Sequence, residues 1–305
     1  MRLAPLVRRV RRQFLHLHIT VTSSLPPGPP TKHIKIDDEE RSLSPNRSQS
    51  HTRRSPRRRA LKMLALILLL LTTALLAYTI YKPPSILIKQ LQSLHPDVIF
   101  HLPLSTGQKI VALTIDDAPS VHTRDLLATL AKHNATATFF VIGSQLASLP
   151  KGGDIIHEIH RGDHELGNHA WEDRPSISLR LPTLSSQITR LDALLPENNS
   201  GLRFFRPGSG FFNGGMVDLV KSLGYRMALG SVYPHDPQIH SARVNARHVV
   251  GGVRSGSVVI MHDRRHYSNE QLGLILEGLG NKGYQVVSLG ELVRLKEREE
   301  GSKSS

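Results

Sequence analysis

Two adjacent carboxylates at the end of an apolar segment are the residues of this sequence best suited to chemistry. Asp116 and Asp117 follow the uncharged, β-forming run 111–115 and precede Pro119. A buried strand that ends in a polar turn can direct both side chains into one cavity, where one takes a proton and the other holds a cation. An Asx-type turn followed by a helix N-cap is the structural alternative for such a pair.

More side chains of reactive or metal-binding type stand where other apolar segments end. In chain order they are His169 with Asp173 four residues later, Arg206, Asp236 and His262. A lone histidine after a strand is usually a packing or capping residue. The repeated coincidence at segment ends favours a common site.

The elements that must position these residues alternate regularly over residues 105–295. Apolar runs typical of strands are 110–115, 138–142, 165–168, 204–206, 226–229, 258–261 and 285–288. Between them lie helical patterns at 123–133, 154–161, 184–194, 215–223, 244–253 and 269–282. The alternation predicts an α/β fold with parallel strands, as an open sheet or a barrel. In a barrel, catalytic groups come from the loops at the carboxyl ends of the strands.

The net charge of +14 is concentrated near the N-terminus. Residues 1–62 contain 15 Lys and Arg against four Asp and Glu. No aromatic or glycine-rich motif for nucleic-acid binding accompanies these charges. We therefore expect a disordered basic tail and no nucleic-acid partner.

The next segment, 63–81, is apolar and carries no charge over 19 residues. As a helix rising about 1.5 Å per residue it nearly crosses a hydrocarbon core of about 30 Å. We expect a single transmembrane signal-anchor helix, with a cleaved secretory signal as the alternative. The basic residues before it predict a cytosolic N-terminus and a lumenal or extracellular remainder.

The remainder divides into a stem (82–104), one domain (105–295) and a charged tail (296–305). The chain contains no cysteine, which excludes disulfides in an exported domain. The domain must therefore be stabilised by its hydrophobic core or by a metal.

Four segments carry a resemblance to a known family: TIDDAPS, GDHELGNHAWEDRPS, RFFRPGSG and VVIMHD. In this order they resemble the motifs of the polysaccharide deacetylase family, also called the NodB-homology domain or carbohydrate esterase family 4, across residues 107–292. The resemblance implies a distorted (β/α) barrel. It also implies metal-dependent removal of N- or O-acetyl groups from amino-sugar polymers such as chitin or peptidoglycan.

The resemblance also assigns catalytic roles. It implies that Asp116 is the general base, that Arg206 orients it, and that His262 is the acid that protonates the leaving amine. Asp236 matches the acidic residue that tunes the histidine, and the backbone N–H near Ser209 would bind the oxyanion. These roles agree with the demands of amide hydrolysis, which needs a Lewis acid, a deprotonated water and a proton for the nitrogen.

The implied metal ligands are Asp117, His169 and Asp173. Where the family usually has a second histidine, this chain has Asp173, so a carboxylate replaces an imidazole. Zinc is the expected metal, and cobalt, manganese and iron are the alternatives. Asp173 could instead cap a helix near Pro175.

A second departure concerns the surface on which a sugar would stack. The pair Gly208-Ser209 stands where the family often has proline and an aromatic residue. Trp171, Phe211 and Tyr233 are the candidates to replace that surface. Arg264 and Arg265, next to the motif of His262, would either meet an anionic substrate or line the rim.

These observations predict a membrane-anchored hydrolase of non-peptide carbon–nitrogen bonds, acting on an N-acetylated polysaccharide or oligosaccharide. Hydrolysis of a non-sugar amide is the first alternative, because the site chemistry does not specify the acyl carrier. A glycan-binding module, with catalysis lost through Asp173, is the second.

Overall fold

The structure is a computed structural model that describes residues 56–105 and 107–304. Its α-helices are α1 (Pro56–Tyr81), α2 (Ser85–Leu94), α3 (Thr123–Lys132), α4 (Gly143–Ser148), α5 (Gly152–Arg161), α6 (Leu181–Asp192), α7 (Gly214–Ser222), α8 (Ala242–Gly252), α9 (Ser268–Asn281) and α10 (Leu289–Ser304). Its strands are β1 (Val98–Ile99), β2 (Ile110–Ala118), β3 (Thr138–Val141), β4 (Glu165–Asn168), β5 (Phe204–Phe205), β6 (Arg226–Ala228), β7 (Val258–His262) and β8 (Gln285–Val287).

All these strands are parallel and form one curved sheet in the order β1-β6-β5-β4-β3-β2-β7, with β8 also pairing with β2. Strand β2 is the centre of the arrangement. It pairs with β3 on one edge, whereas on the other it pairs first with β8 and then with β7. The predicted parallel α/β architecture is confirmed, as a half-barrel of strands flanked by helices.

Side-chain alternation along β2 explains how the strand builds a core and a site at once. Val111, Leu113 and Ile115 pack in the cluster that includes α3, α5 and α9, whereas Ile110 and Ala112 face the barrel interior. Because alternate residues of a strand share a face, Thr114 and Asp116 continue the interior row. The same parity directs Arg206 inward after Phe204, and His262 inward after Val258.

Helix α1 has the length and composition of a membrane-spanning segment. It contains 26 residues, has a window of mean hydropathy 2.4, and is buried nowhere in that window. It includes the predicted segment 63–81 and extends it towards the basic residues. The predicted disordered tail, residues 1–62, is wrong at its end, because residues 56–62 belong to α1; its residues 1–55 lie outside the described residues.

The folded domain extends beyond the limits predicted for it. The predicted stem 82–104 contains α2, whose Ile88 packs in the core, and β1, which pairs with β6. The predicted charged tail 296–305 lies largely within α10, where Glu297 forms an ion pair with Arg226. Both segments lack the long apolar periodicity on which the predicted boundaries depended.

Candidate active site

The predicted residues converge on a cavity of about 660 Å³ at the carboxyl ends of the strands. Its wall includes Asp116, Asp117, His169, Asp173, Arg206, Ser209, Tyr233 and His262. Asp236 lies directly behind this wall and is fully buried. Trp171 and Phe211 are not part of the wall that the described residues form.

Asp116 is held by a buried arginine. The Arg206 guanidinium donates to the Asp116 carboxylate and, at 2.8 Å, to the Thr114 hydroxyl. It also donates to the carbonyls of Ala228 at 3.1 Å and Leu229 at 2.9 Å. Because each of the three guanidinium nitrogens is anchored, Arg206 holds Asp116 in one orientation, with the Asp116 side chain 6% exposed.

Asp117 reaches the cavity through an irregularity of β2. Strict alternation would direct this side chain away from Asp116. Instead the register of β2 against β3 shifts between Ile115 and Ala118, and Asp117 has a φ of 65°. Both adjacent carboxylates therefore face one cavity, as predicted from the sequence.

Positive groups around Asp117 lower the pKa of its carboxyl. Burial alone would raise this pKa, but His169, His262 and Arg264 outweigh burial and lower it below its usual value. Asp117 is therefore ionised at neutral pH, which is the form that binds a cation.

His169 is oriented by a backbone carbonyl. Its Nδ1–H donates to the Arg206 carbonyl at 2.7 Å, so its Nε2 carries the free lone pair. This Nε2 is 3.8 Å from Oδ1 of Asp117. An imidazole nitrogen and a carboxylate oxygen in this arrangement suit two neighbouring positions of a metal, and the hydrogen bond at Nδ1 supports the ring from behind.

His262 stands beside Asp116, because the two residues are register partners in the parallel pair of β2 and β7. Its Nδ1–H donates to Oδ1 of Asp236 at 2.9 Å, and its backbone N–H donates to Oδ2 at 2.8 Å. Burial alone would lower the pKa of His262, but the hydrogen bond and charge of Asp236 raise it above its usual value. The shift favours the protonated ring, which is the form that a general acid requires.

Asp173 is engaged by an arginine. Nη2 of Arg264 is 2.7 Å from Oδ2 of Asp173 and 3.0 Å from Oδ2 of Asp117. Within the described residues, no group of three His, Asp or Glu side chains has the geometry of a metal centre. Asp117 and His169 therefore fit a metal as a pair, and Asp173 stays a prediction as the third ligand. The short helix after Pro175 has no side-chain cap, so the capping alternative is not observed.

The three aromatic candidates for sugar binding differ in position. Tyr233 lines the cavity with its ring centroid 5.9 Å from that of His262. Phe211 is 66% exposed and lies beside the cavity. Trp171 packs against the face of Gly143, and the Arg190 guanidinium lies 3.4 Å from its ring centroid. Trp171 thus packs against α4 and α6, outside the cavity wall.

The turn proposed for the oxyanion also borders the cavity. Gly208, Ser209 and Gly210 form one short 3₁₀ turn, in which Ser209 has a φ of 65°. The N–H of Gly208 donates to the Ser176 hydroxyl at 2.8 Å. The N–H of Ser209 follows it in the turn and stays the candidate donor.

Two participants were not identified as such from the sequence. Arg264 was expected either to meet an anionic substrate or to line the rim, but it contacts both Asp117 and Asp173. Gln145, in the amide orientation that satisfies both its polar atoms, donates to the Asp117 carbonyl and accepts from Nη1 of Arg264, each at 2.9 Å. The position of Arg264 two residues after His262 is a sequence signal of its proximity, whereas Gln145 gave none.

Comparison with known proteins finds relatives of this domain. The family model of polysaccharide deacetylases matches residues 104–228. The chain is 30% identical over 193 residues to peptidoglycan-N-acetylglucosamine deacetylase PgdA of Listeria monocytogenes, covering 63% of this chain but only 40% of that protein. It is 29% identical over 196 residues to the peptidoglycan-N-acetylglucosamine deacetylase of Bacillus cereus, covering 62% of this chain and 91% of that protein.

A solved structure is similar over the same region. Peptidoglycan deacetylase PdaC of Bacillus subtilis superimposes with a TM-score of 0.57 at 25% identity, covering 66% of this chain and 97% of that chain. The parallel half-barrel therefore corresponds to the distorted (β/α) barrel predicted from the sequence motifs. In sequence and in fold, this domain is therefore similar to the polysaccharide deacetylases, carbohydrate esterase family 4.

Proposed function

We propose that the chain is a metal-dependent hydrolase that removes N-acetyl groups from an amino-sugar polymer or oligomer. The observation that carries the proposal is the register pairing of Asp116 with His262, which sets a buried carboxylate and an imidazole on adjacent strands of one cavity. Hydrolysis of an amide needs these two groups, a base for the water and an acid for the nitrogen. The names of the relatives, which specify peptidoglycan-N-acetylglucosamine, support an N-acetylated glycan as substrate.

Asp116 would act as the base. The ion pair with Arg206 holds its carboxylate at the cavity, where it can accept a proton from an attacking water. Removing a positioned general base typically slows a reaction about 10²–10⁴-fold.

Asp117 and His169 would hold the metal, with zinc expected. When bound, a divalent metal polarises the amide carbonyl and makes water more acidic. His169 keeps its Nε2 lone pair available by donating from Nδ1 to the Arg206 carbonyl. The Ser209 N–H would stabilise negative charge on the carbonyl oxygen, and Asp173 is the proposed further ligand.

His262 would complete the reaction by protonating the departing amine. Asp236 holds its Nδ1–H, which leaves Nε2 as the proton donor. The Tyr267 hydroxyl donates to the Asp236 carbonyl, and Asp236 is fully buried, so the pair is rigid.

We further propose that α1 anchors the catalytic domain at a membrane, with the domain on the lumenal or extracellular side. The end of α1 lies against the site: the ring of Tyr81 stacks on His235, whose Nε2–H donates to the Tyr81 carbonyl at 2.8 Å. The ring of His235 in turn contacts that of Tyr233 in the cavity wall. This continuity supports action on glycans close to a membrane surface.

The sidedness can be tested by glycosylation. Asn134 is an exposed acceptor in the triplet Asn134-Ala135-Thr136. Asn198, by contrast, is buried and hydrogen-bonds the backbone of Leu166, so it serves as an internal comparison. A glycan on Asn134 after translation into microsomes is expected, and its absence would contradict the lumenal orientation.

The activity is tested by comparing Asp116→Asn with Asp218→Asn, the same change on the exposed face of α7. The full chain in detergent is assayed for acetate released from N-acetylglucosamine oligomers and peptidoglycan fragments. Asp116→Asn should lose at least about 10²-fold in rate and retain its metal, whereas Asp218→Asn should match the unmodified chain. Equal rates in the two variants would remove Asp116 as the base.

A glycan-binding module is the second candidate, because Arg264 engages Asp173 and keeps it from the position of a ligand. Glycan binding without acetate release from any oligomer would favour this candidate. Acetate release only from non-sugar amides would instead favour a hydrolase of non-sugar amides, the other alternative from the sequence.

A further inference from the structure

We propose that the Arg264 guanidinium occupies this site as a cation and competes with a divalent metal for Asp173. The guanidinium must move away from Asp173 before that carboxylate can bind the metal. The chain would then bind its metal more weakly than the same site without the guanidinium. This inference rests on the metal-dependent function proposed above.

The first argument is the position of the guanidinium. A single nitrogen, Nη2, bridges Oδ2 of Asp117 and Oδ2 of Asp173, at 3.0 and 2.7 Å. These are the two carboxylates of the expected ligand set. One positive charge on both of them reduces the negative potential that attracts a divalent ion.

The second argument is the way the two oxygens of Asp117 are divided. Oδ1 faces Nε2 of His169, whereas Oδ2 faces Arg264. A metal can therefore begin to bind at Oδ1 and Nε2 without a clash. Completing the site with Asp173 requires the bridge from Arg264 to open.

The third argument is that Arg264 forms this bridge while one of its own hydrogen-bond donors stays without a partner. Arg264 has a φ of 28°, an unfavourable value for a residue with a side chain, and its Nη1 meets Gln145. Its buried Nε has no hydrogen-bond partner among the described residues. A buried donor without an acceptor is unfavourable, so this placement of the Arg264 side chain has a cost that its movement would relieve.

Asp173 is also suited to changing partners. Its side chain is 53% exposed, whereas that of Asp117 is 8% exposed. An exposed carboxylate exchanges between two cations with little rearrangement of the core. The departure from the family histidine thus gives Arg264 an anionic partner that an imidazole would not provide.

The experiment is calorimetric titration of Zn²⁺ into the metal-free full chain in detergent. Arg264→Gln should bind zinc at least about tenfold more tightly than the unmodified chain, a gain of about 1.4 kcal/mol. Arg265→Gln is the matched control, since it removes a guanidinium of the same cavity that has no ion pair to Asp117 or Asp173 in the described part of the chain. It should leave the affinity within about twofold. Arg264→Met carries the same expectation if Arg264→Gln does not fold.

A second arm tests the role of Asp173. Asp173→Asn should weaken zinc binding more in the Arg264→Gln background than in the unmodified chain, because only there is the carboxylate released. Zinc binding that Arg264→Gln fails to tighten would overturn this inference and leave the metal-dependent function standing. A lack of zinc binding in every variant would overturn both.

Discussion

Replacing Arg206 with methionine tests whether the buried ion pair organises the site. The side chains of Arg206 and Asp116 are 2% and 6% exposed. Methionine fills much of the same space but removes the donors to Asp116, Thr114 and two carbonyls. It leaves the Asp116 carboxylate buried without its partner.

The expected loss follows from that burial. Breaking a buried pair by removing one partner costs about 3–5 kcal/mol, because the remaining charge is uncompensated. For a domain of this size, each kcal/mol lowers the melting temperature by roughly 2–4 °C. Arg206→Met should therefore melt about 6–20 °C below the unmodified chain.

The matched control is Arg226→Met, which breaks the pair with Glu297. That pair has an ordinary distance of 2.8 Å, but its side chains are 45% and 50% exposed. An exposed pair contributes about 0–1 kcal/mol, so the melting temperature should change by a few degrees at most. The comparison isolates burial as the cause.

The assay is a thermal melt of the full chain followed by circular dichroism. Adding Asp116→Asn to Arg206→Met should restore part of the loss, since the unpaired charge is then removed. Equal melting temperatures for Arg206→Met and Arg226→Met, or no recovery in the double variant, would refute the reasoning.

Two further predictions follow from the site and its support. Asp236→Asn removes the hydrogen-bonded charge that raises the pKa of His262, so His262 should lose its proton at lower pH. The alkaline limb of the kcat–pH profile should therefore move to lower pH, and a limb that does not move would contradict the role of His262 as the acid. Gly143→Ala places a Cβ 2.3 Å from the Trp171 ring and should lower the stability of the fold by about 1–3 kcal/mol. Gly153→Ala is the control, because a Cβ there meets open space and should not destabilise the fold. Equal effects of the two variants in thermal melts would contradict the packing of Trp171 against Gly143.

Much of the fold could be predicted from the sequence, because the apolar runs are short, bounded and alternate with helical patterns. The predicted run 165–168 coincides with β4, and the runs at the other strands differ from β2–β8 mainly at their ends. The family motifs added the closure of these strands into a half-barrel. Short elements with weak patterns, such as α2 and β1, gave no comparable signal.

The convergence of the site could also be predicted, since the carboxyl ends of parallel strands share one edge. The local geometry could not. The positive φ of Asp117, the bridge from Arg264 to Asp173, and the packing of Trp171 against Gly143 each depend on contacts between distant parts of the chain. Residue types and their spacing therefore predicted which residues meet at the cavity, but not which neighbour each side chain contacts.

The most direct test of metal-dependent deacetylation is acetate release from N-acetylglucosamine oligomers by the zinc-loaded full chain, measured before chelation, after chelation and after zinc is restored. We predict release that stops with the chelator and returns with zinc, and that is absent throughout in His169→Ala. Release that continues unchanged in the chelated, metal-free chain would contradict the account.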